Sequence, residues 1–72
     1  MSQIKFKIHD DQEFIELQNL LKVTGIIDTS GYAKTFLNEN EVYVNGERET
    51  RRGRKIRRQD VVKVFKQEIV VE

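Results

Sequence analysis

Apolar and basic residues alternate along Ile4-Lys5-Phe6-Lys7-Ile8. A period of two marks a half-buried strand, with Ile4, Phe6 and Ile8 inward and Lys5 and Lys7 in water, where they simply solubilise it. The pattern then turns helical. Phe14, Leu17, Leu20 and Leu21 fall at i, i+3, i+6 and i+7, one apolar face of a helix. Asp10 with Glu13 resembles a capping box, which allows a start near Gln12; a start near Glu16 fits as well. Lys22 suits the end of the helix dipole and Gly25 a C-cap. Asp28, Thr29 and Ser30 are good N-caps for a second helix over about 30–38, with Ala33, Phe36 and Leu37 inward.

The second half reads as strands. Val42 and Val44 flank Tyr43, and Asn45-Gly46 signals a type I′ hairpin with a return strand over 47–50. Val62 and Val64 form a further inward pair within 60–65. Ile69-Val70-Val71 completes the set as a last strand, expected in one sheet with Ile4–Ile8 because an isolated strand cannot hide its backbone groups.

With 72 residues the chain is expected to be a single domain, 1–72, with a thin core and little room for an enclosed active site. Cysteine is absent, so no disulfide framework or thiolate metal site exists. Stability must come from packing, which suits a cytoplasmic protein. No apolar run has signal-peptide or membrane-span length.

Charge changes the picture more. The net charge is +1, yet residues 1–50 hold five Lys/Arg against nine Asp/Glu, and residues 51–58 contribute six cations with no carboxylate among them. Arg51-Arg52-Gly53-Arg54-Lys55-Ile56-Arg57-Arg58 is expected as a loop between strands. Gly53 would bend it and Ile56 pin it to the core. Clustered like charges on a small domain make sense when a polyanion neutralises them. Solubility alone is better served by mixed signs, and a targeting signal fits poorly between strands. Arginine forks suit phosphate oxygens.

Lys34, with Thr29 and Ser30 at the second helix's start, offers a further phosphate contact; the bland reading is a cap and a solvated charge. Tyr32 and Tyr43 offer stacking faces, or else half-buried packing. His9 reads as a solvated turn residue. It has no neighbouring serine nucleophile, no glycine-rich phosphate loop exists, and the spacing of Asp28, Glu39, Glu41 and Asp60 fits no metal loop. No enzyme, cofactor or metal is therefore expected.

Leu17, Leu20 and Leu21, then Ala33, then Val42-Tyr43-Val44-Asn45-Gly46, then Asp60 with Val62 and Val64, together resemble the RNA-binding domain named after ribosomal small-subunit protein four (S-four). The resemblance covers about residues 16–65. Ala33-Lys34, Phe36-Leu37, Asn45-Gly46-Glu47 and Arg51-Arg52-Gly53-Arg54-Lys55 look like the short single-domain YaaA-type proteins of bacteria. The resemblance implies an α+β fold, the alpha-L motif, with two short helices packed on a small, mostly antiparallel sheet. It implies RNA bound across the second helix and neighbouring loops. It also places the start of the first helix near Glu16, with Phe14-Ile15 in the connection. Two positions depart from the pattern. Ser30 stands where the family carries Arg, so the basic loop must carry more of the binding. Gln59 stands where it carries Gly before Asp60, implying a slightly different turn.

The reading is a non-catalytic module for structured RNA, ribosomal RNA being one candidate. The expected contacts are Lys34, Arg51, Arg52, Arg54, Lys55, Arg57, Arg58, Thr29, Ser30 and Tyr32, with no membrane or small-molecule partner and a monomer favoured. The alternatives are a protein adaptor whose basic loop meets an acidic partner, and a DNA binder using the helix pair.

Overall fold

The computed structural model describes residues 2–72, with side chains from Gln3 onward. The strands are β1 (Ser2–Phe6), β2 (Phe14–Glu16), β3 (Val42–Val44), β4 (Glu47–Arg48), β5 (Lys55–Arg57), β6 (Val61–Val64) and β7 (Gln67–Val71). Helix α1 spans Leu17–Val23, and α2 (Ala33–Glu39) is entered through a 3-10 turn at Ser30–Tyr32. Among the described residues the strands form a five-stranded sheet in the order β1-β7-β6-β3-β4 and a two-stranded ribbon, β2-β5. All pairings are antiparallel except β1 with β7. This is the expected α+β architecture of two short helices on a mostly antiparallel sheet.

The chain ends meet as expected. Ile4 lies opposite Ile69 and Phe6 opposite Val71, and two bonds extend the pairing, Glu72 N–H to the Phe6 carbonyl and Ile8 N–H to the Glu72 carbonyl, both 2.8 Å. Both segments thereby satisfy their backbone groups. Ile8 is fully buried while Ile4 and Phe6 are half-buried against the core. Lys5 of this outer strand and Lys7 just beyond it stay in solvent, which suits an edge that must not recruit another chain.

Leu17, Leu20 and Leu21 bury the inner face of α1 against Ala33, Phe36 and Leu37 of α2 and the valines of β3 and β6. A Schellman motif ends α1. Gly25, at φ 82°, donates to the Lys22 carbonyl, and Ile26 donates to the Leu21 carbonyl, each at 3.0 Å. The α2 helix begins behind Thr29 without a side-chain cap bond, and runs close to the expected range.

Two expectations fail at the first helix. Asp10 and Glu13 cap nothing: both are exposed beside a turn closed by Gln12 N–H to the His9 carbonyl. Phe14 belongs to no helix, because Phe14–Glu16 pairs with Lys55–Arg57. The helical spacing of Phe14 was coincidental; its strand partner Arg57, 43 residues further on, overrides it. The start near Glu16 is correct, since Glu16 is the N-cap position.

The Asn45-Gly46 hairpin is formed as expected, with φ 52° and 86° at the two turn residues, the left-handed pair a type I′ turn demands. The return strand is shorter than expected, ending at Arg48. Gly46→Val should lower stability by about 1 kcal/mol or more, because a β-branched side chain resists positive φ; an unchanged midpoint in urea unfolding would contradict this. At Gln59 the substitution for glycine does not remove a left-handed turn. Gln59 itself takes φ 77° in the turn that Asp60 N–H closes onto the Arg57 carbonyl at 3.1 Å.

Candidate nucleic-acid interface

The basic stretch is ordered by an acid just upstream of it. Glu49, 5% exposed, is the buried charged side chain among the described residues. One carboxylate oxygen accepts from the Thr50 N–H at 3.1 Å, the Arg51 N–H at 3.0 Å and Arg51 Nε at 3.1 Å. The other accepts from Arg51 Nη2 at 3.2 Å and Arg54 Nη1 at 2.7 Å. Burial opposes the charge, but the hydrogen bonds from Arg51, then that from Arg54, outweigh it and hold the carboxyl at about 2 against an ordinary 4.5. The same contact raises the Arg51 guanidinium. The expectation of six uncompensated charges is therefore corrected, since Arg51 and Arg54 are ion-paired to Glu49.

The segment is also no simple loop. Leu17 N–H donates to the Arg54 carbonyl at 2.8 Å and Gln18 N–H to the Arg52 carbonyl at 2.9 Å, so the basic backbone covers the orphan donors at the start of α1. It then becomes β5. Ile56, fully buried opposite Ile15, is the expected anchor. Its neighbours Lys55 and Arg57 point the other way, both exposed. Lys55 Nζ lies 5.0 Å from the centre of the Phe14 ring, a cation–π contact that restrains the side chain and leaves its charge outward.

Downstream, Asp60 locks the stretch to the hairpin. Its Oδ2 accepts from the Arg57 N–H at 2.8 Å and its Oδ1 from Asn45 Nδ2 at 3.0 Å. Asn45 in turn accepts from the Val61 N–H at 2.9 Å through its Oδ1, and its own N–H donates to the Val61 carbonyl. The Asn-Gly turn and the Asp-Val strand start are thus two halves of one clasp.

An open groove results, lined by Arg51, Gly53, Arg54, Lys55, Arg57 and Asp60. From Glu49 to Asp60, six cations and two carboxylates leave a net charge of +4. Arg52, Lys55 and Arg57 have no carboxylate partner among the described residues, and the Arg51 side chain is 74% exposed despite its pairing. Arg58 is turned elsewhere, its Nη2 donating to the His9 carbonyl at 3.0 Å. That contact ties the exit of the first strand to the basic segment.

The other expected residues form a separate group. Lys34 is exposed on α2, Thr29 and Ser30 sit at the 3-10 turn, and Tyr32 is exposed with its ring tilted against Phe36 and its hydroxyl 3.4 Å from Glu39. None of these four lines the basic groove. His9, 87% exposed and 3.8 Å from an equally exposed Asp11, lies in open solvent, as expected of a turn residue.

Sequence reasoning missed Glu49, although an acid two residues before one arginine and five before another is a visible signal. It also missed Phe65, taken as strand and found instead in the turn after β6, 60% exposed.

A family model described as the S4 domain matches residues 6–72. The chain is also 48% identical over 54 residues, 75% of its own length and 76% of the other's, to a protein named probable ribosome maturation protein RlbA of Bacillus subtilis (strain 168). With its two helices on a mostly antiparallel sheet, and a match running over nearly its whole length, the chain belongs to the S4 domain family.

Proposed function

We propose that this chain is a non-catalytic RNA-binding module that seats its basic groove on the phosphate backbone of structured RNA, ribosomal RNA being the class in view. The observation that carries this reading is the ordered cation array. Arg51, Arg52, Arg54, Lys55 and Arg57 are held on backbone tied to α1, to β2 and to the Asn45–Asp60 clasp. An array whose backbone is fixed in this way loses little backbone freedom on meeting a polyanion, so more of each contact appears as affinity. Groups that spread their charge over an open groove suit a backbone rather than a base edge.

The name of the Bacillus subtilis relative, a ribosome maturation protein, supports ribosomal RNA over other structured RNA. Lys34, with Thr29, Ser30 and Tyr32 near it in the chain, supplies a secondary contact as the strand passes the second helix. The expected experiment is capture of the tagged protein from bacterial lysate at low and high salt, with and without ribonuclease. Ribosomal RNA should co-purify at low salt, fall away as salt rises, and vanish after ribonuclease. Protein that co-purifies unchanged after ribonuclease would instead favour an acidic protein partner.

A further inference from the structure

A second surface carries chemistry that phosphate binding does not use. Phe65 is 60% exposed and held at φ 56°, a backbone region that bulky side chains avoid. The strain is maintained by its surroundings. The Phe65 ring stands edge-on to Phe36, with centroids 5.7 Å apart and planes at 88°, and Phe36 is itself 5% exposed. An exposed aromatic kept in a costly conformation points to a use for its free face.

That face opens on a groove of about 350 Å³ lined by Asn40, Glu41, Tyr43, Lys63 and Phe65. Its other wall is the outer face of the sheet, where Tyr43 lies directly across from Lys63. The Tyr43 hydroxyl donates to Glu41, which fixes the ring and raises the phenol above its ordinary value. Asn40 Nδ2 donates to the Phe36 carbonyl at 3.2 Å, so the Asn40 carboxamide oxygen is left to accept. Two aromatic rings, two acceptors and one cation thus share one groove. The carboxylate repels a phosphate at the groove's centre, while Lys63 favours one at its rim.

Resting on the RNA reading above, we propose that this groove takes a single unpaired base bearing an exocyclic amino group, cytosine being the simplest. The base stacks against Phe65 and Tyr43, its amino group donates to Glu41, and Lys63 meets the adjoining phosphate. Carboxylates read the cytosine amino group in this way, and unpaired bases stacked on aromatic side chains are the usual form of sequence-specific RNA recognition. Strand β6 joins the two sites, with Asp60 at the basic groove and Phe65 at this one. Five residues of extended chain span roughly 16 Å, a distance that a few nucleotides bridge.

The test uses three RNAs, a stem with a cytidine loop, the same stem with a uridine loop, and the blunt duplex, titrated against the whole chain at several salt concentrations. The parent should prefer the cytidine loop. Phe65→Gly fits the left-handed backbone, so the fold should hold, and Phe65→Asn provides a second variant tolerant of that φ. Each should weaken cytidine-loop binding by about 5- to 100-fold, the value of one stacked base, with the duplex affinity and salt slope unmoved. Glu41→Ala should bring the two loops to equal affinity. If both Phe65 variants match the parent on the cytidine loop while an Arg52, Lys55 and Arg57 triple variant loses binding, this site is wrong and the RNA reading stands. If the parent binds none of the three RNAs, both readings fall. If the parent sediments as a dimer that Phe65→Asn converts to a monomer, the face is a contact between copies and the base site is overturned.

Discussion

Glu49→Ala is expected to destabilise the fold by about 2–4 kcal/mol, the largest effect of any single substitution outside the apolar core. The carboxylate is buried and accepts five hydrogen bonds, two from backbone N–H groups. Its loss leaves those donors without their acceptor and frees two guanidiniums that repel their neighbours. The same residue sets a pH dependence. Its folded value of about 2 lies below the ordinary 4.5, so its stabilisation is fully present above pH 4.5 and is lost as pH falls through the folded value. Because Arg51 faces solvent, screening limits the contribution to about 2 kcal/mol. Urea unfolding at pH 7 and pH 3 should show the parent losing rather more than half of this increment, the rest going only as pH falls further through the folded value, while Glu49→Gln, already less stable, loses less over the same interval. Parallel pH curves for the two proteins would count against the role assigned to Glu49.

The second large effect concerns affinity. With Arg52, Lys55 and Arg57 unpaired and Arg51 mostly exposed, about three or four phosphates are neutralised, and log affinity should fall against log salt with a slope of roughly −2 to −3.5. Arg52→Ala with Lys55→Ala should flatten the slope by about one to two units and weaken binding alike on RNAs of different sequence. Stability should barely move, since exposed charges contribute little to folding. Arg51 is a poorer choice for this test than sequence alone indicates, because its removal also strips Glu49 of bonds. Arg54→Ala carries the same complication more strongly, its side chain being 35% exposed. If the Arg52 and Lys55 variant binds with parental affinity and slope, phosphate contact through these two side chains is ruled out.

The elements legible in the sequence were those with local causes. The Asn45-Gly46 turn follows from two residues that tolerate positive φ, and α1 ends at Gly25 for the same reason. The valine pairs of β3 and β6 follow from a period of two, and the leucines of α1 from its apolar face. The basic stretch stands out as charge alone, and Ile56 within it is readable as the one residue able to anchor it.

Apart from the meeting of the two chain ends, which the need to satisfy lone strands anticipated, contacts between distant residues were not legible. Phe14 keeps a helical spacing, yet its backbone is claimed by the strand at Arg57, 43 residues further on, and nothing within its own window reports that. Composition counts Glu49 as one acid among twelve, while the fold buries it and binds two arginines to it. The sequence by itself determined where turns, helices and inward faces lie, because those depend on backbone preference and on periodicity over a few residues. Tertiary structure alone decided which cations remain free, that Phe14–Glu16 pairs with Lys55–Arg57, and which aromatic ring is left open beside Glu41. Those outcomes depend on burial, hydrogen-bond partners and screening, which exist only once distant parts of the chain have been brought together.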